Sequence, residues 1–170
     1  MNPYLLPDDI AALAERVIAE NAAAGRTVAL AESCTGGLVA GALTEIAGSS
    51  AVLDRGFVTY SNEAKMESLG VARDIIETFG AVSIACVWAM AQGALERSNA
   101  DVAVAISGVA GPGGGTTIKP VGTVVFARAT RATEGEPEGE LKHFDGGDGP
   151  GARASIRRQA TLCALELLLP

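Results

Sequence analysis

Phenylalanine, tyrosine and tryptophan together make up 4% of this 170-residue chain, too few to build the platforms on which nucleic-acid bases stack. Positive charge is also short. Thirteen Lys and Arg against twenty Asp and Glu give a net charge of −7, a field that repels phosphate backbones and leaves any anionic ligand to be held locally. There is one histidine, His143, and three cysteines, Cys34, Cys86 and Cys163, far apart and without a Cys-x-x-Cys pair. Such spacing signals neither a disulfide framework nor a zinc site, so no metal and no cofactor are expected, and a reducing, cytoplasmic compartment fits. No apolar run is long enough to span a bilayer, and the first residues lack the basic segment and apolar core of a leader.

What the chain does have is 48% hydrophobic residues, carried by Ala, Val, Leu and Ile, with 21 glycines and only seven prolines. That suits one domain over residues 1–170, with helices packed closely on a sheet. Pro7-Asp8-Asp9 starts a helix whose Ile10, Leu13, Ala14, Val17 and Ile18 share a face up to Gly25. Residues 28–31 read as a buried strand, 38–46 as a helix and 52–60 as a second strand. Short helices are expected over 62–69 and 74–79, each stopped by a glycine. Ser83 caps a longer helix over 84–97, with Trp88 in its apolar stripe. Residues 101–106 and 121–127 read as strands, 131–139 as an exposed loop and 141–144 as an edge strand. The last helix carries Ile156, Ala160, Cys163, Ala164 and Leu167 on one face. This order predicts an α/β fold, a single-domain three-layer αβα sandwich around a mostly parallel mixed sheet, with an antiparallel pair supplied by 121–144. Ligands gather beyond the carboxyl ends of such strands. Two glycine-rich segments, after Ala31 and after Ile106, fall at that edge.

The first of them, Glu32-Ser-Cys-Thr-Gly-Gly37, follows a strand and precedes a helix. Its glycines let backbone approach a ligand, and helix-opening amides favour negative charge. Ser33 or Thr35 could equally be a helix cap. As a nucleophile, Ser33 needs a base and oxyanion donors. His143 falls on the expected edge strand, far in topology from the first glycine turn. Lys65 is the alternative: it falls in the first turn of the 62–69 helix, after a strand ending at Tyr60, and burial could lower its pKa. A solvated Lys65 with Asn62 as a cap is the competing reading. Cys34 has no adjacent histidine and is read as a packing or backbone-donor residue.

Ala31-Glu-Ser-Cys-Thr-Gly-Gly37, Val58-Thr-Tyr-Ser-Asn62 with Lys65, Gly80-Ala-Val-Ser83, Gly108-Val-Ala-Gly-Pro112 and Lys119-Pro-Val-Gly122 occur in order. Together they resemble the CinA C-terminal domain family, whose members include nicotinamide-nucleotide amidases. The resemblance implies hydrolysis of the carboxamide of nicotinamide mononucleotide to nicotinate mononucleotide and ammonia. It implies Ser33 as nucleophile and Lys65 and Tyr60 as its proton-handling partners. The substrate-binding residues expected with them are Cys34, Thr35, Gly36, Gly37, Asn62, Ser107, Gly108, Ala110 and Gly111, together with Arg153 and Arg157 for the phosphate. A non-hydrolytic nucleotide-binding or regulatory module is the alternative on the same residues, and a homodimer is the expected assembly. Two departures from the family pattern stand out. Ile84 occupies a position where the family commonly carries a glutamate, and the loop between Asp148 and Arg153 is longer than usual.

Overall fold

A computed structural model of the chain describes residues 1, 3–132 and 137–170; residues 133–136, within the expected 131–139 loop, lie outside the described residues. Five strands form one sheet in the order β2-β1-β3-β4-β5. These are β1 (Val28–Glu32), β2 (Leu53–Val58), β3 (Val102–Gly108), β4 (Thr123–Thr130) and β5 (Glu138–His143). β1 is parallel to both β2 and β3, β4 is antiparallel to β3, and β5 is antiparallel to β4. Four strands therefore run one way and β4 alone runs against them.

The central strands alternate a large residue with alanine, and the alternation assigns the two faces. Val28, Leu30, Val104, Ile106, Val124 and Phe126 join one core with α1 (Asp8–Ala24), α2 (Leu38–Thr44) and α6 (Ala152–Leu167). Ala29, Ala31, Ala103, Ala105, Ala127 and Ala129 face the other, against Cys86, Val87, Met90, Ala91 and Ala94 of α5 (Ile84–Glu96). Small side chains on that face let α5 lie close to the sheet. Trp88 is half-buried and packs against the same cluster rather than forming its centre.

Two short helices, α3 (Asn62–Leu69) and α4 (Arg73–Phe79), lean on α5. Ser61 caps α3 by accepting a hydrogen bond from the Ala64 amide at 3.0 Å, and Ser83 caps α5 by accepting from Cys86 at 3.1 Å. Gly93 in α5 makes the α3 contact possible, because a Cβ there would sit 2.0 Å from the Leu69 carbonyl oxygen. The strand register then aligns the carboxyl ends: Glu32 sits level with Val58 on one side and Ile106 on the other. Ser33, Thr59 and Ser107 emerge side by side from that edge.

Candidate active site

The main chain locks this edge before any side chain acts. The Ser33 amide donates to the Ile106 carbonyl at 2.9 Å, and the Thr59 amide donates to the Glu32 carbonyl at 2.9 Å. Lys65, one turn into α3, points back beneath the turn and is 1% exposed. Its Nζ lies 3.0 Å from Ser33 Oγ, 2.9 Å from the Thr59 carbonyl oxygen and 3.2 Å from the Tyr60 carbonyl oxygen. Among the described residues no carboxylate reaches ion-pair distance of that amine. Burial without a counter-charge disfavours the ammonium, and it holds the Lys65 pKa below the ordinary lysine value. The geometry suits a neutral amine: two carbonyls can only accept, so they take its two N–H groups. The lone pair is left facing the Ser33 hydroxyl. A serine so placed can be deprotonated as it attacks.

Ser33 and Lys65 open onto a cavity of about 280 Å³ lined also by Cys34, Tyr60, Asn62, Ser107, Gly108, Ala110, Gly111 and Arg153. Ten of the residues expected at the site thus share one hollow. Sequence reasoning missed Ala81 and Val82 from the loop before α5, and Val109, Gly113 and Gly114 from the second glycine segment. The β3 strand also runs further than expected, taking Ser107 and Gly108 into pairing with Val125 and Val124.

Thr35, Gly36, Gly37 and Arg157 are not among the lining residues. The reason begins at Glu32, a buried side chain that the sequence reading named only as the start of this segment. Its oxygens accept from the amides of Gly37 at 3.0 Å, Val39 at 3.2 Å and Ala40 at 2.9 Å. The opening of α2 is therefore already occupied by the protein's own anion, so the expected anion site at that helix N-terminus is not free. The available signal was an acid ending a strand otherwise wholly apolar. Such a group must find donors close by in sequence.

Arg157 faces the back of the same turn, donating from Nε to the Cys34 carbonyl at 3.0 Å and from Nη2 to the Thr35 carbonyl at 3.3 Å. Arg153 instead reaches the cavity mouth. It donates to the Gly111 carbonyl at 2.6 Å and to the Tyr60 hydroxyl at 3.1 Å. The Tyr60 ring is 61% exposed, so its hydroxyl is engaged with Arg153 rather than with Ser33 or Lys65. Burial pushes the Cys34 thiol up to about 11, leaving it protonated near neutrality and a poor nucleophile. His143 stands on edge strand β5, its Nδ1 3.3 Å from Thr123 Oγ1, and does not line the cavity.

A family model, the CinA C-terminal domain, matches residues 10–170. The chain belongs to the CinA C-terminal domain family. It is 52% identical over 156 residues to the nicotinamide-nucleotide amidohydrolase PncC of Escherichia coli strain K12, covering 92% of this chain and 90% of that one. A CinA-like protein of Akkermansia muciniphila is 48% identical over 166 residues, which are 98% of this chain and 38% of that longer protein. Among solved structures, the competence/damage inducible protein CihA from Agrobacterium tumefaciens has a TM-score of 0.89 at 51% identity, covering 97% and 96% of the two chains.

In this CinA-family chain, Ile84 lies in the first turn of α5, packed towards β5 beside Gly139 and not against the cavity. Among the described residues no three His, Cys, Asp or Glu side chains gather as a metal site would require, and no helix is long and apolar enough to cross a membrane.

Proposed function

We propose that this protein is a nicotinamide-nucleotide amidohydrolase, a serine enzyme that converts nicotinamide mononucleotide to nicotinate mononucleotide and ammonia. The observation that carries the reading is the buried Lys65 amine, without a carboxylate partner among the described residues and 3.0 Å from Ser33 Oγ, in a chain half identical to an amidohydrolase of that name. Ser33 Oγ attacks the carboxamide carbon while Lys65 Nζ takes its proton directly. The tetrahedral adduct collapses as the ammonium of Lys65 returns the proton to the departing nitrogen, and ammonia leaves. Water then enters, Lys65 takes its proton, and the Ser33 acyl ester is hydrolysed. A module that only binds nucleotide has no use for a neutral amine beside a serine.

The Tyr60 hydroxyl acts with Arg153 at the cavity mouth rather than as a proton relay. Their exposed ends suit the phosphate and ribose of the nucleotide, the guanidinium supplying local positive charge in a protein of net charge −7. Asn62 and the Ser107–Gly111 segment form the walls around the pyridine ring. Residues 1–170 act as one catalytic domain in this reading. Three free, buried thiols suit a reducing cytoplasm. The assembly is a homodimer, with β2 as an exposed sheet edge available for the contact; sedimentation equilibrium giving the mass of a single 17.2 kDa chain would reject it.

The deciding test is ammonia release from nicotinamide mononucleotide by the purified protein. Ser33→Ala is expected to lower turnover roughly 10⁴-fold while nucleotide binding, read by calorimetry, persists. Turnover equal to the wild type would reject the mechanism.

A further inference from the structure

The turn that carries Ser33 contains two consecutive glycines at positive φ, Gly36 at 59° and Gly37 at 97°. Such a turn has little conformational stiffness of its own. It is held from two sides. Glu32 fixes the amides from Gly37 onwards, and Arg157 fixes the carbonyls of Cys34 and Thr35. Gly36 has no side chain where a Cβ would stand 3.4 Å from Arg157 Nη2, so the guanidinium lies directly against the backbone.

In a planar trans peptide, the carbonyl of one residue and the N–H of the next point in opposite directions. With the Cys34 carbonyl drawn to Arg157, the Thr35 amide is turned away from α6. The Ser33 carbonyl accepts from the Gly36 amide at 3.0 Å, which turns the Cys34 amide out of the loop. Among the described residues, neither the Cys34 nor the Thr35 amide makes a backbone–backbone hydrogen bond. Cys34 lines the cavity together with Ser33, and Thr35 is the next residue of the same turn.

We propose that Arg157 is a positioning residue for acyl transfer: by anchoring the carbonyls of Cys34 and Thr35, it keeps these two residues' amides aimed as donors for the oxyanion formed at Ser33. The proposal rests on the serine amidohydrolase reading above. If either peptide flipped, a carbonyl oxygen would face the developing negative charge and an oxyanion donor would be lost. Arg157 itself never touches the substrate.

A fluorophosphonate probe tests this independently of the natural substrate. Ser33 Oγ bonds to phosphorus, the P–F bond breaks, fluoride leaves, and the hydroxyl proton passes to Lys65. The wild type is expected to label at Ser33, and Arg157→Ala to label about 100-fold more slowly. Ammonia release should fall by a similar factor in kcat, with KM changed less than about threefold, since only the transition state is affected. Millimolar methylguanidine should restore part of both rates in Arg157→Ala. Arg157→Lys keeps the stem and charge but not the fork; it should fold where alanine fails and still label slowly. An unlabelled wild type, or labelling at the wild-type rate per folded molecule in both variants, overturns the proposal. So does a raised KM with kcat intact, the signature of a phosphate ligand. Slow labelling in the variants, with no ammonia released by the labelled-competent wild type, would sink the substrate reading and leave the positioning role standing.

Discussion

Lys65 is the residue at which stability and function pull apart. Its ammonium is costly where it sits, because 1% exposure and two carbonyls replace water without a compensating carboxylate. A lysine whose folded pKa is lowered leaves the unfolded chain holding more protons across the interval between that value and 10.5. Stability must therefore rise with pH through that interval. Lys65→Met, which fills similar volume without the charge, is expected to melt at a higher temperature than the wild type at neutral pH and to release no ammonia. Its advantage should shrink as the pH climbs towards 10.5. A melting temperature well below the wild type's would mean that the lysine holds the fold rather than the chemistry.

At the scale of elements, what was legible in the sequence followed from local signals. The span of α3, from Asn62 to Leu69, stops at Gly70 in the left-handed region at φ 71°, which is visible as a residue type, whereas its cap is Ser61 and not the Asn62 that the sequence offered. Strand ends were less legible. β3 continues to Gly108 and β4 to Thr130 because each finds its partner in the other, and β5 begins at Glu138 for the same reason. Pairing is a tertiary event, so no local pattern announces it. The site was split in the same way. Ser33 and Lys65 could be placed at one sheet edge from topology, whereas the separate destinations of Arg153 and Arg157, one turn apart on α6, depend on how that helix is rotated over the turn. Glu32 went unread because its donors belong to α2, whose approach only the packed structure fixes.

The same packing makes α3 dependent on Gly93. Gly93→Ala would drive a methyl into the Leu69 carbonyl, which α5 and α3 can relieve only by separating. Thermal denaturation should show a loss of about 1–3 kcal/mol, as expected of an overpacked core. The folded remainder should turn over more slowly, since moving α3 moves Lys65 from Ser33. An unaltered kcat alongside the lost stability would mean that the amine keeps its place by its own carbonyl contacts.

Considered as a whole molecule, the protein carries −7 and is proposed to take an anionic nucleotide. Its long-range field opposes the encounter, and among the described residues lining the cavity the guanidinium of Arg153 is the permanent positive charge that attracts. Salt screens the distant charges more than a contact in the cavity, because the Debye length drops to about 8 Å at physiological ionic strength. Raising sodium chloride from about 20 to 150 mM should therefore increase kcat/KM, on the order of twofold. A steep fall would show that local positive charge dominates capture. The architecture supports this economy of cations: the alanine face of the sheet brings α5 and α3 close, and the large-residue face seats α6, whose arginines reach the same edge from behind.

The account depends most on an uncharged amine at Lys65, and the chain has only three lysines, Lys65, Lys119 and Lys142, to observe. Selective ¹³Cε labelling of lysine and an NMR titration would read each ammonium separately, with Lys65→Met assigning the signal. The account predicts one resonance that loses its proton below 10.5 and vanishes in that variant. Titration of the Lys65 signal at or above 10.5 would contradict it.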